Sequence, residues 1–89
     1  MTKKIMPDLL RRMREDPESD MRLIVLVEGD PAPAAERLTS GPVRVLRTFT
    51  LVPGLAVVGK ARDCLRLLDE PWVSRVEEDR EVRTMSREL

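Results

Sequence analysis

The side chains that most often carry enzymatic chemistry are scarce in this sequence of 89 residues. It contains no histidine and a single cysteine, Cys64. Without histidine, the usual general base and the Ser/His/Asp and Cys/His nucleophilic arrangements are missing. A lone thiol cannot form an internal disulfide, and it cannot build a zinc site without other soft ligands. The sequence therefore predicts a protein that is not an enzyme and that holds no cofactor and no metal.

The most concentrated charge of one sign lies near the carboxyl end. Residues 77–81 carry four acidic side chains against one arginine, whereas residues 1–15 carry five basic side chains against two acidic ones. If the acidic stretch ends a strand, Glu77 and Asp79 point to the same side, because side chains alternate along a strand. The pattern by itself favours an ordinary solvated charge run.

Composition restricts the class of protein further. Hydrophobic residues make up 42% and charged residues 36% of the chain, with 16 basic and 16 acidic side chains. This balance is typical of one soluble globular domain with a thin core. The absence of a basic excess argues against nucleic-acid binding, and Phe49 and Trp72 are too few for a base-stacking platform.

The sequence also lacks signals for a membrane. No apolar run approaches the roughly 20 residues of a membrane span, and Lys3 and Lys4 are not followed by the apolar core of a signal peptide. We therefore expect a cytoplasmic protein with no membrane partner, although a fragment of a secreted precursor would have the same features.

The first 20 residues predict a helical extension and a linker. Pro7 suits a first helical turn, and the apolar residues that follow recur at helical spacing through Met13. Pro17 and its polar neighbours then interrupt the pattern, so we expect residues 16–20 to link the helix to a compact domain.

Turn signals divide the compact domain into six elements. Residues 22–28 predict a central strand, Asp30 and Pro31 begin a short helix, and residues 43–52 and 55–58 form two strands joined at Pro53 and Gly54. A second helix follows, with Ala61, Leu65 and Leu68 on one face and Cys64 packed beside it, and a last strand begins near Trp72. The predicted fold is α+β: a ferredoxin-like βαββαβ order, with a four-stranded antiparallel sheet and two helices on one face.

The face of this sheet that the two helices leave uncovered is expected to be partly apolar. In the first strand Leu23, Val25 and Val27 point one way, whereas Ile24 and Leu26 point the other. Three interpretations remain open at this point. The N-terminal helix folds over the second face, two copies pair through it as a homodimer, or a different partner binds there.

Several segments in order resemble a known family. The stretch 73–79, which ends in Val-Glu-Glu-Asp after a helix and a proline-bearing turn, is similar to the last strand of subtilisin propeptides and related inhibitors. Residues 22–28 are similar to the family's opening strand, residues 49–57 to its central hairpin, and residues 4–10 to a segment that precedes the domain in some precursors. The chain thus resembles the propeptide-type inhibitor domain of subtilisin-like serine proteases over about residues 22–85.

The resemblance implies a binding mode and a set of site residues. The open sheet face would pack on two surface helices of the protease, and Glu77 and Asp79 would cap the N-termini of those helices. The tail would lie in the protease cleft like a substrate, through Val82, Arg83, Thr84 and Met85. Val82 would fill the apolar protease pocket for the fourth residue before the bond that is cut. Met85 would fill the pocket for the residue directly before that bond. The domain would span residues 21–85, and residues 86–89 would form a tail beyond the family's cleavage point.

The expected function is therefore that of a non-catalytic module that inhibits a subtilisin-like serine protease, helps it to fold, or does both. The alternative is a ferredoxin-like regulatory or oligomerisation domain that pairs through its sheet face. An enzyme of the acylphosphatase type is disfavoured, because the acidic loop 28–31 would repel a phosphate group.

Overall fold

Four strands form one antiparallel sheet in the computed structural model, which describes residues 4–79. The strand order across the sheet is β2-β3-β1-β4, which confirms the predicted α+β fold and the βαββαβ order. In chain order the elements are α1 (Pro7–Glu15), β1 (Asp20–Val27), α2 (Pro31–Thr39), β2 (Arg44–Phe49), β3 (Gly54–Lys60), α3 (Ala61–Leu65), a 3₁₀ turn (Arg66–Asp69) and β4 (Val73–Glu78).

Local signals predict β1 and α2 closely, but β1 runs from Asp20 to Val27 instead of over residues 22–28, so Asp20, which was predicted to lie in the linker, begins the strand. β1 pairs with β3 on one side and with β4 on the other. After it, Gly29 takes a φ of +83°, a left-handed conformation that favours glycine. The carboxylate of Asp30 then accepts a hydrogen bond of 3.0 Å from the backbone N–H of Ala32 and caps α2.

The hairpin between β2 and β3 differs from its prediction. β2 ends at Phe49 instead of residue 52, because the register pairs Phe49 with Gly54 and leaves the four residues between them to form the turn. Leu51 and Val52 are therefore exposed turn residues, at 97% and 60%. β3 is longer than predicted and continues to Lys60.

The helix predicted after the hairpin also differs from its prediction in length and in the residues that it buries. α3 is only five residues long and passes directly into the 3₁₀ turn. Ala61 and Cys64 are three residues apart in α3, and Leu67 lies three residues further on in the 3₁₀ turn, so the three share one face and are buried. Leu65 and Leu68, which were expected on one face with Ala61, pack against the core but are only partly buried, whereas Cys64, expected beside that face, is fully buried.

The core is one cluster between the sheet and all of the helices. Leu23, Val25 and Val27 of β1 point into it, and Leu9 and Met13 of α1 join it. The segment before β1 is attached to α3 as well: the backbone carbonyls of Pro17 and Ser19 accept hydrogen bonds from the N–H groups of Arg62 and Ala61. Within residues 4–79, no helix has the length and apolar character needed to cross a membrane.

Candidate protein-binding face

The side of the sheet that faces away from the core is not covered by α1. Met13 is completely buried in the cluster on the helix side, and Arg12 of the same helix pairs with Glu78 at 2.6 Å. Glu78 lies on the core side of β4, because it alternates with Glu77 and follows the buried Val76 by two residues. The interpretation that α1 folds over the second face is therefore wrong.

We call this second side of the sheet the open face. Pairing across the strands arranges its residues in three rows that run from β2 through β3 and β1 to β4. The central row is Arg47, Ala56, Ile24, Glu77; one flanking row is Arg44, Val58, Arg22, Asp79; the other is Phe49, Gly54, Leu26, Arg75.

Two side-chain contacts along the outer strands support this assignment. The guanidinium of Arg47 lies over the ring of Phe49, 5.8 Å from its centroid. On β4, Nε of Arg75 lies 2.9 Å from Oε2 of Glu77. In both pairs the residues are two positions apart, as required for side chains on the same side of a strand.

The middle of the open face is apolar and uneven. β1 contributes the large side chains of Ile24 and Leu26, whereas β3 contributes Gly54 and Ala56. A Cβ atom at Gly54 would lie 2.9 Å from the carbonyl oxygen of Val25 and 3.0 Å from Cδ2 of Leu26. Leu26 therefore leans over Gly54, and both Gly54 and Ala56 are buried beneath their neighbours, whereas Ile24 and Leu26 are partly exposed.

Charge on the open face is divided between its two edges. The β2 edge carries Arg44 and Arg47, both exposed. The β4 edge carries Glu77 and Asp79 at one end, and Arg75 nearer the start of the strand. The zero net charge of the chain therefore conceals a basic edge and a mainly acidic edge on one surface.

The structure brings two of the predicted site residues together. Glu77 is exposed and Asp79 is half-buried. The backbone N–H of Asp79 donates a hydrogen bond of 2.9 Å to the carbonyl of Arg22, so the strand pairing continues and places Asp79 on the same side as Glu77. The other predicted site residues, Val82, Arg83, Thr84 and Met85, lie outside the described residues.

Sequence reasoning missed the four arginines of the open face: Arg22, Arg44, Arg47 and Arg75. Alternation within each strand was a usable signal for Arg22, which is two residues before Ile24. It was not sufficient for β2, where the pairing register shifts between Val45 and Arg47 and changes which residues share a side.

Cys64 and Trp72 have structural roles in this arrangement. Cys64 is 1% exposed, and burial together with the nearby Asp63 carboxylate raises the pKa of its thiol to about 11, which disfavours the nucleophilic thiolate. Trp72 packs at the edge of the core, and its indole N–H donates a hydrogen bond of 3.1 Å to Glu70. Both observations agree with packing roles.

Small-molecule and metal sites are poorly developed in the described part of the chain. A depression of about 320 Å³ lies between α1 and β4, but its wall includes the paired charges of Arg12, Glu78, Arg75 and Glu77. No group of three or more His, Cys, Asp or Glu residues within 4–79 is arranged to hold a metal ion. The open face is the surface with the clearest binding chemistry.

Comparison with known proteins does not place the chain in a family. No protein-family model matches it, and no curated protein matches it significantly.

Proposed function

We propose that this protein is a non-catalytic module that binds a subtilisin-like serine protease through its open face, as an inhibitor, a folding chaperone or both. One observation carries the proposal: the described helices all pack on one side of the sheet, and the other side presents an apolar centre with Glu77 and Asp79 at one edge. The order of elements, which resembles that of subtilisin propeptides, supplies the class of partner.

The two carboxylates have a physical role in such a complex. A helix N-terminus has unpaired N–H groups and a partial positive charge, and a nearby carboxylate stabilises it by about 0.3–1 kcal/mol, or up to about 2 kcal/mol when partly buried. Glu77 is paired with Arg75 in the free protein. An exposed ion pair contributes only about 0–1 kcal/mol, so exchanging it for a helix N-terminus costs little.

The tail would add a second region of contact. An extended peptide in a protease cleft gains main-chain hydrogen bonds for affinity and side-chain pockets for specificity. Under this proposal, Val82 to Met85 would occupy the cleft while the open face packs beside it, so the two regions would contribute separately to affinity.

The direct test is inhibition of several purified subtilisin-like proteases by the full chain. We expect inhibition, and we expect it to fall sharply when residues 82–89 are removed. Absence of inhibition across the set of proteases, or inhibition that does not depend on the tail, would contradict the proposal.

A paired substitution tests the carboxylates specifically. Glu77→Gln combined with Asp79→Asn should raise the inhibition constant about 3- to 30-fold, because two helix-capping charges are lost. The matched control is Glu36→Gln with Asp69→Asn, which removes the same two charges at exposed positions on the helix side. Equal effects of the two pairs would show that only net charge matters.

A further inference from the structure

We infer that the open face also fits a second copy of the same chain, in a reversible dimer whose two-fold axis runs parallel to the strands. This inference does not rest on the proposed function. It follows from the arrangement of charged and apolar side chains along the three rows of the open face.

The central row is complementary to itself in this orientation. A two-fold axis parallel to the strands, between two facing sheets, places β2 of one copy over β4 of the other and β1 over β3. Arg47 then faces Glu77 of the second copy, and Glu77 faces Arg47 of the second copy. One residue pair forms two interfacial ion pairs.

The flanking rows agree with the same orientation. Arg44 faces Asp79 of the second copy at one end. At the other end, Phe49 faces Arg75 of the second copy, which is a cation and aromatic ring combination. At each side of the interface, Arg47 and Phe49 of one copy would thus contact Glu77 and Arg75 of the other as a group of four side chains.

The apolar residues of the open face also meet in this orientation. Ile24 and Leu26 of β1, which are partly exposed, lie opposite β3 of the second copy, so the dimer removes apolar surface from water at the centre of the interface.

The other two-fold orientation within the plane between the sheets is unfavourable. An axis across the strands along the central row would place β2 over β2 and β4 over β4, so that Arg47 would face Arg47 and Glu77 would face Glu77 of the second copy. Like charges that oppose each other at an interface cost free energy and exclude the wrong arrangement. The distribution of charge therefore selects one orientation.

The area of the open face limits the expected affinity of the dimer. Four strands about 4.8 Å apart and about six residues long present a surface of roughly 20 Å by 20 Å. This is below the roughly 800 Å² per partner of a standard stable interface. We expect a weak dimer that dissociates on dilution, in the micromolar range or weaker.

The test is sedimentation velocity on the full chain from low micromolar to millimolar concentration, with charge reversals at the central pair. Arg47→Glu alone and Glu77→Arg alone should each weaken the dimer about tenfold or more, because symmetry repeats every reversed contact. The control pair, Glu36→Arg and Arg37→Glu on α2, makes the same charge changes at exposed positions away from the open face and should leave the dimer unchanged.

Restoration of the dimer is the decisive result. An equimolar mixture of the Arg47→Glu and Glu77→Arg variants should form a heterodimer, since both ion pairs return, one with its original signs and one with its signs exchanged. The double variant should form a homodimer, because both of its ion pairs return with their signs exchanged. Restoration also shows that the single variants are folded, because misfolded chains would not regain a specific dimer on mixing.

Three outcomes would overturn the inference: a monomer at every concentration, a dimer that is indifferent to the reversals, or no restoration in the mixture. The result is separable from the protease proposal. Dimerisation is measured without a protease, and a chain that inhibits but stays monomeric would refute only this inference. If both hold, dimer formation competes with protease binding for the open face.

Discussion

Burial determines the chemistry of the only thiol in the sequence. Cys64 is 1% exposed and lies among apolar side chains between α3 and the sheet. Loss of solvation raises the pKa of its thiol to about 11 from an ordinary value of 9.0, and the negative charge of Asp63 acts in the same direction. The folded protein therefore keeps this thiol protonated at a pH at which the unfolded chain loses the proton.

The pKa of Cys64 predicts how stability depends on pH. Since the folded state binds the proton more tightly, the stabilisation is complete below about pH 9 and is lost as the pH rises to about 11. The loss attributable to this thiol should be at most about 3 kcal/mol. We would measure the free energy of unfolding in urea across this range for the wild type and for Cys64→Ala.

The alanine variant isolates the contribution of the thiol. It should be less stable at pH 8, because a small cavity replaces the sulfur atom, but its stability should fall less steeply above pH 9. Parallel pH profiles for the two proteins would show that Cys64 contributes nothing to the dependence.

At the scale of elements, the N-terminal segment, from Lys4 through α1, contacts the outer edge of β4 and the turn between α3 and β4. The backbone N–H of Val76 donates a 2.7 Å hydrogen bond to the carbonyl of Lys4, and Nζ of Lys4 donates to the carbonyls of Leu68 and Glu70. Arg12 pairs with Glu78, and this hydrogen bond raises the pKa of Arg12. The segment thus covers part of an edge that would otherwise expose unpaired backbone groups.

The two methionines of this segment provide a matched test of its packing. Met13 is completely buried, whereas Met6 is 57% exposed. Met13→Ala should lower the free energy of unfolding by about 2–5 kcal/mol through lost burial and a cavity. Met6→Ala should change it by no more than about 0.5 kcal/mol. Urea denaturation followed by circular dichroism measures both, and similar small values would mean that α1 is only loosely docked.

The opposite edge of the sheet is arranged differently. β2 pairs only with β3 within the described residues, and its free edge carries Arg44 and Arg47 with a register shift between Val45 and Arg47. Charged side chains and a bulge both discourage the addition of another strand. The edge is therefore protected by its chemistry, whereas the β4 edge is protected by a neighbouring segment.

At the scale of the whole molecule, the helices and the sheet share a single core. Side chains from α1, α2, α3 and all four strands belong to one contiguous cluster or pack against it, and the described residues contain no second core. A small domain of this kind usually unfolds in one cooperative step. Trp72 packs against the cluster and reports on its state.

We therefore expect unfolding curves from Trp72 fluorescence and from far-ultraviolet circular dichroism to coincide. Fluorescence reports the packing around one side chain at the core edge, whereas circular dichroism reports all helices and strands. The Met13→Ala variant should shift both curves by the same amount, since α1 packs into the shared core. Separate midpoints for the two signals would indicate that part of the molecule unfolds independently.

Much of the fold is predictable from local signals. The capping of α2 by Asp30, the turn at Gly29 that follows β1 and the apolar stretch of β1 each depend on a few adjacent residues. Such signals act independently of the rest of the fold, because they arise from backbone geometry and nearby hydrogen bonds. The side of β4 shared by Glu77 and Asp79 follows in the same way from strand alternation.

The remaining features depend on contacts between distant parts of the chain. Periodicity could not show that α1 packs on the helix side, that the hairpin turn leaves Leu51 exposed, or that a 3₁₀ turn buries Leu67. The sequence by itself determined the order of the elements and a sheet with two apolar sides. Only the tertiary structure decided which side of the sheet the described helices leave uncovered and that Arg47 and Glu77 end the same row, because strand register is set by long-range pairing and packing.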